Sequence, residues 1–190
     1  MRVLVFGERL APPLDEGIKK LTLSLARGLS DLGHDVDVAT TGSAATGSVT
    51  TGEVTQGAMP VPVTNVPAGR LLHSSDLAGH IAAFRPDAVV YVPTASLTLG
   101  SGLRAATLKR YAGGAPLALV ATQGRHHSAV VRVLAPLVGP DMCFAQSGGT
   151  REQARRLRWE VLPLPPGVDT EAFRPATPEE AEHAARIGAC

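Results

Sequence analysis

The 190-residue sequence has little that would serve a metal, a disulfide framework, a membrane span or a polyanionic partner. Its two cysteines, Cys143 inside an apolar run and Cys190 at the last position, make neither a metal-ligand spacing nor a disulfide framework, which fits a reducing, cytoplasmic compartment. His34, His73, His80 and His183 are scattered without ligand spacing, so neither a metal nor a cofactor is expected. No apolar run approaches the ~20 residues of a membrane-spanning helix, and the N-terminal run is too short for a signal-peptide core. Membrane contact is therefore expected to be peripheral at most. The formal charge is only +1, with Lys and Arg interspersed among Asp and Glu, so nothing in the overall charge recommends a nucleic acid or an anionic membrane, and no nucleic acid is expected as a partner. A G-x-G-x-x-G fingerprint after the first apolar run is missing, as is a convincing acidic ribose ligand, which leaves a nucleotide-cofactor oxidoreductase a distant third reading. Ser147 lacks the G-x-S-x-G setting of a serine nucleophile, and no repeat of fixed period occurs.

What is present is an alternation of short apolar runs with longer amphipathic stretches, the pattern of a mainly parallel sheet covered by helices. "RVLVF" (2–6), ended by Gly7, reads as a strand buried on both faces. Ile18, Leu21, Leu25, Leu29 and Leu32 recur at helical spacing, with Gly33 at the C′ position. "HDVDVAT" reads as a second strand, and the Gly, Ser and Thr tract 41–58 as a surface loop. "MPVPVTNVP" suits an edge strand, because its prolines cannot donate to a central ladder. Ser74 or Ser75 is expected to cap the helix in "SSDLAGHIAAF". Further strands are expected at 88–92, 115–122 and within "PDMCFAQS", with a helix over "TLGSGLRAATLKRYAG". The helix in "HSAVVRVLAPLVG" should break at Pro136. Thr150 is expected to cap the next helix, with Gln153 completing a capping box, and "EVLPLPPG" reads as a last extended segment. The total is roughly seven β/α units, whose ligands should bind beyond the carboxyl ends of the strands.

Three segments, in order, carry a resemblance. "PPLDEGIKKLTLSLARGLSDLGHDVDVAT" is similar to the opening loop, long helix and second-strand entry of family-four retaining glycosyltransferases, within the glycogen synthase and sucrose synthase superfamily. "FAQSGGTREQARRL" is similar to the strand, serine and helix that close their first domain. "LPPGVDTEAFRP" resembles the "PNGVD-x-x-x-F-x-P" segment that links their two domains. The resemblance implies a Rossmann-like three-layer α/β sandwich, the N-terminal half of a GT-B fold. Residues 1–165 would form the acceptor-side domain, and 166–190 the linker and start of a C-terminal donor-binding domain. It further implies transfer of a sugar from a nucleotide sugar to an acceptor hydroxyl with retention. This chain alone would be inactive without that second domain, supplied in cis or in trans. The alternative is a non-catalytic Rossmann-like module that binds a sugar or nucleotide or regulates a partner.

Candidate site residues follow from the strand ends and from the resemblance. Gly17 stands near a helix start, where free N–H groups and the positive end of the dipole can meet a phosphate or sugar hydroxyl. The family carries a glycine pair there, and here Glu16 replaces one member. Lys20 lies in the same first turn, a position the dipole disfavours unless an anion is near. Thr122 and Gly124 match the family's "T-x-H-G", with Gln123 in place of its histidine. Gln123 can keep the polar contact with the transferred sugar without a titrating group, or His126 or His127 takes over that role from the next turn. Arg125 can pair with a phosphate or carboxylate. After the fourth strand Tyr91 reads as a core residue and Thr94 as a ligand contact, while Ser147 caps a helix or touches a ligand.

Overall fold

The computed structural model describes residues 1–10, 17–41, 50–56, 59–124 and 129–165. Eight strands form one sheet: β1 (Arg2–Glu8), β2 (Asp35–Thr41), β3 (Thr50–Gln56), β4 (Met59–Asn65), β5 (Ala88–Val92), β6 (Leu117–Ala121), β7 (Met142–Ala145) and β8 (Val161–Pro163). Their spatial order is β3-β4-β2-β1-β5-β6-β7-β8, with every neighbouring pair parallel except β3 with β4. Among the described residues five helices accompany them: α1 (Gly17–Asp31), α2 (Ser75–Phe84), α3 (Leu99–Tyr111), α4 (Ala129–Leu134) and α5 (Gly148–Arg156). This is the expected Rossmann-like α/β sandwich.

The central strands are apolar on both faces because both are covered. Leu4 and Phe6 of β1 and Val89 and Tyr91 of β5 share one core with Leu77 and Ile81 of α2, Ala105 and Leu108 of α3, Ala154 of α5 and Leu157 just after it. Val3 and Val5 face the other way, with Leu23 and Ala26 of α1 and Val38 of β2. Strand order reverses about β1, whose chain successor lies on one side and β5 on the other. Such a switch point opens a crevice beyond the carboxyl ends of the strands.

Several sequence expectations need correcting. β1 does not stop at Gly7 but continues to Glu8, with Gly7 paired to Thr40 and Val92. A Cβ on Gly7 would stand 2.8 Å from Thr22 Cγ2, so this glycine lets α1 approach the strand. The buried stripe of α1 is Lys19, Thr22, Leu23 and Ala26, rotated from the expected leucine stripe. Ile18, Leu21 and Leu25 are half-buried and Leu32 is exposed. Leucine spacing alone could not choose between two adjacent faces, because a residue as small as Ala26 serves where the helix lies closest. The tract 41–58 is not all loop, since it contains β3, which forms an antiparallel hairpin with β4. Nor is β4 an edge. Its prolines are tolerated because Pro60 and Pro62 pair in register with β3 only, whereas β2 is met through Val63, Thr64 and Asn65.

Helix ends follow side-chain chemistry. Ser74 caps α2, and Thr98 with Ser101 forms a reciprocal capping box on α3. Gly33 follows α1 with φ +83°, as a C′ glycine should. Helix α4 ends at Leu134 and tightens into a 3-10 turn, Ala135–Leu137, at the expected Pro136. On α5 the cap is Ser147, one turn earlier than expected. Its Oγ accepts from the Thr150 N–H at 3.1 Å, so Thr150 is the third helical residue and not the cap.

Candidate functional site

A depression of ≈ 500 Å³ lies at the carboxyl edge of the sheet, lined by Gly17, Ile18, Leu21, Thr122, Gln123 and Gln146. Three separate segments meet there: the first turn of α1, the exit of β6 and the exit of β7. Ile18 and Leu21 give one apolar wall, and the polar groups stand opposite. Gly17 is exposed, and a Cβ built on it meets nothing within 4 Å. The first turn of α1 carries no acidic residue, and the positive end of a helix dipole favours an anionic group. Thr122 Oγ1 is buried and has no hydrogen-bond partner among the described residues. A buried hydroxyl without a partner calls for a ligand or a water to satisfy it.

The floor beside this depression is held by one carboxylate. Glu8, at the last position of β1 and largely buried, accepts from the Tyr91 hydroxyl, from Thr94 Oγ1 at 2.6 Å, from Thr94 N at 3.3 Å and from Arg104 Nη1 at 2.8 Å. Burial, joined by the Glu8 charge, pushes the Tyr91 phenol far above its ordinary pKa, so it stays a donor. Burial works against the Arg104 guanidinium, but the Glu8 carboxylate and the Tyr91 hydroxyl outweigh this and raise its pKa. Glu8 thereby clamps the segment after β5. Two residues beyond Thr94, the buried Ser96 Oγ accepts from the Thr122 N–H at 3.2 Å. One hydrogen-bonded path thus runs from the end of β1 to the wall of the depression.

Of the sequence-expected site residues, Gly17, Thr122 and Gln123 line this depression. Lys20 is exposed one turn into α1. Thr94 is committed to Glu8, and the Ser147 hydroxyl to the N-terminus of α5. Gly124 packs against α5, where a Cβ would stand 2.3 Å from Gln153 Oε1. Tyr91 is a fully buried core residue with its hydroxyl satisfied, as expected. Glu16, Arg125, His126 and His127 lie outside the described residues, as does the segment 166–190. Sequence reasoning missed Glu8, Arg104 and Gln146, whereas Ser96 stood with Tyr91 and Thr94 in the strand-end segment it pointed to. A charged residue closing an apolar strand was the one available signal for Glu8, and nothing local marked the others.

With this geometry in hand, the comparisons decide the family. The sequence model described as Glycosyltransferase Family 4 matches residues 16–172. The chain belongs to glycosyltransferase family 4. No curated protein matches the family-4 chain by sequence. Among solved structures, the catalytic domain of starch synthase IV from Arabidopsis thaliana, bound to ADP and acarbose, is 12% identical with a TM-score of 0.54. That likeness covers 98% of this chain and 59% of the starch synthase chain. Two structures of an alpha-glucosyltransferase in complex with UDP and a 13-mer DNA are each 14% identical, with TM-scores of 0.48 and 0.49. They cover 92% of this chain and 43% and 44% of theirs. With the starch synthase structure the family-4 chain shares the fold of a GT-B half, and it spans less than two thirds of that chain.

Proposed function

We propose that this chain is the acceptor-binding half of a glycosyltransferase that moves a sugar from a nucleotide sugar to an acceptor hydroxyl with retention. The observation that carries the reading is the convergence of Gly17, Thr122 and Gln123 on one depression, with the buried Thr122 hydroxyl left without a partner among the described residues. In the proposed reaction the bond from the sugar's anomeric carbon to the diphosphate oxygen breaks, the diphosphate leaves with the electron pair, the acceptor oxygen bonds to the same face, and the acceptor's hydroxyl proton passes to the departing diphosphate oxygen. Thr122 and Gln123 orient the acceptor hydroxyl, and the first turn of α1 offsets developing negative charge. Gln123 positions and does not titrate near neutral pH. If a titrating group is needed from this half, His126 or His127 supplies it, and Arg125 and Lys20 are the cations at hand. Gly124, Thr94 and Ser147 shape the surrounding loops, and Glu16 is kept as a proposed ligand contact. The donor's nucleotide is assigned to a second domain, in cis or in trans, and no metal is invoked.

The test is a thermal-shift screen with acarbose, maltooligosaccharides, ADP and UDP. The starch synthase structure holds ADP and acarbose, which makes them reasonable first probes. A ligand at a hundred times its Kd that binds only the folded state adds about 2.7 kcal/mol, roughly 5–10 °C for a domain of this size. A saccharide shift lost in a Thr122→Val, Gln123→Ala variant of unchanged unliganded stability supports the acceptor half. A nucleotide shift alone favours the non-catalytic binding module, and robust sugar transfer by the isolated chain contradicts the assignment of the donor to a second domain.

A further inference from the structure

A different chemistry gathers at the far end of the helical layer. Helix α5 begins beside Gln146 at the depression and ends at Arg156, so its last turn lies ~13 Å away along the helix axis. The chain then turns back at the amino edge of the sheet, where the Cys143 N–H donates to the Glu160 carbonyl. There Arg132 and Val133 of α4, with Arg156 and Arg158, line a groove of ≈ 470 Å³. Of these arginines only Arg156 has a carboxylate partner among the described residues, Glu152 at 3.3 Å in an exposed pair. Beside the groove Val133 is 72% exposed and Leu137 78%, with Leu134 and Pro136 exposed between them. Arg155 is exposed on the same last turn.

Arg158 adds a backbone observation. Its φ of +59° is left-handed, and the Trp159 N–H to Ala154 carbonyl bond with the Arg158 N–H to Arg155 carbonyl bond makes a Schellman turn. Glycine is the unstrained residue at that C′ position. Here a cation stands there instead, directed to the rim of the groove.

We propose that this face docks the protein on an anionic lipid bilayer. The arginines would meet lipid phosphates, while Val133, Leu134 and Leu137 enter the boundary between headgroups and acyl chains. A small phosphate ligand would account for the groove but not for the aliphatic residues exposed beside it. A second copy in a two-fold contact would set arginines against arginines. An anionic bilayer satisfies both the charge and the apolar area without demanding a particular shape. Among the described residues no helix is long and apolar enough to cross a membrane, so the contact would be interfacial. The depression at the carboxyl edge would stay open, and the inference is independent of what that depression binds.

Co-sedimentation of the intact chain with vesicles tests it, using phosphatidylcholine alone and a 7:3 mixture with phosphatidylglycerol, at low and at high salt. The expected result is binding to the anionic vesicles only, weakened by salt. Arg132→Gln and Arg158→Gly should each weaken partitioning roughly fivefold. Val133→Ser with Leu137→Ser should weaken it even at low salt. Arg158→Gly is the discriminating variant, because relieving the left-handed residue should leave the melting temperature unchanged or higher while binding falls. No binding at low salt, equal binding to both vesicles, or variants that partition like the parent would overturn the proposal. So would salt-sensitive binding to polyglutamate without vesicle binding, which would indicate an acidic protein partner, or self-association abolished by Val133→Ser.

Discussion

Replacing Glu8 by glutamine changes almost no volume but removes the charge on which four donors converge. The amide oxygen can continue to accept from Tyr91 and from Arg104, whose Nη1 lies 2.8 Å from Glu8 Oε1. The new NH₂ then faces Thr94, whose hydroxyl can turn to accept but whose backbone N–H cannot. Removing one partner of a buried ion pair costs about 3–5 kcal/mol, because the other charge is left uncompensated. The Arg104 side chain is 22% exposed against 10% for Glu8, so water recovers part of that loss. The expected cost is about 2–3 kcal/mol. Urea unfolding at neutral pH measures it, provided the slope m is the same for both proteins. Arg104→Met should cost a comparable amount. The double variant should be less destabilised than the sum by about 1–2 kcal/mol, since the second change removes a charge already orphaned by the first. A Glu8→Gln cost below about 0.5 kcal/mol, or additivity within about 0.3–0.5 kcal/mol, would refute the idea that Glu8 is the hub.

Three further outcomes follow from the same contacts. Tyr91→Phe should flatten the alkaline limb of stability: because its folded pKa is raised, the phenol's contribution is complete below the unfolded value of about 10 and is lost as pH rises beyond it, which unfolding at pH 9 and 11 would reveal. Gly7→Ala should cost about 1–3 kcal/mol through the 2.8 Å approach to Thr22 Cγ2, whereas Gly17→Ala, with nothing within 4 Å, should leave melting unchanged or slightly raised. Ser147→Ala should cost about 1 kcal/mol by uncapping α5, with no restoration from Thr150; a loss of saccharide shift beyond that of Gln123→Ala would instead give Ser147 a ligand role.

The elements legible in the sequence were those whose cause is local. Ser74 before an apolar run, Gly33 after one, Pro136 inside one and the apolar block 88–92 each announce themselves within a few residues, and the structure agrees at all four. Where the cause was tertiary the reading slipped. The strand Thr50–Gln56 lies in a tract of Gly, Ser and Thr because its ladder is supplied by β4 and not by its own side-chain pattern. The buried face of α1 is chosen by where Gly7 lets the helix touch β1, which the spacing of leucines does not encode.

The site divides along the same line. Thr122, Gln123 and Gly17 could be placed because they sit at strand and helix ends, where a parallel sheet must open its crevice. Glu8 could not, because its partners are 83, 86 and 96 residues away in the chain. Yet those distances are what make the carboxylate consequential. Each donor comes from a different part of the helical side of the switch point: a strand, the loop that follows it, and the next helix. Three segments that need not have met are fixed to one atom pair at the end of β1. Through Ser96 that fixed loop then sets the height of the Thr122 backbone. A variant that loosens Glu8 should therefore weaken ligands of the depression without touching any residue that lines it.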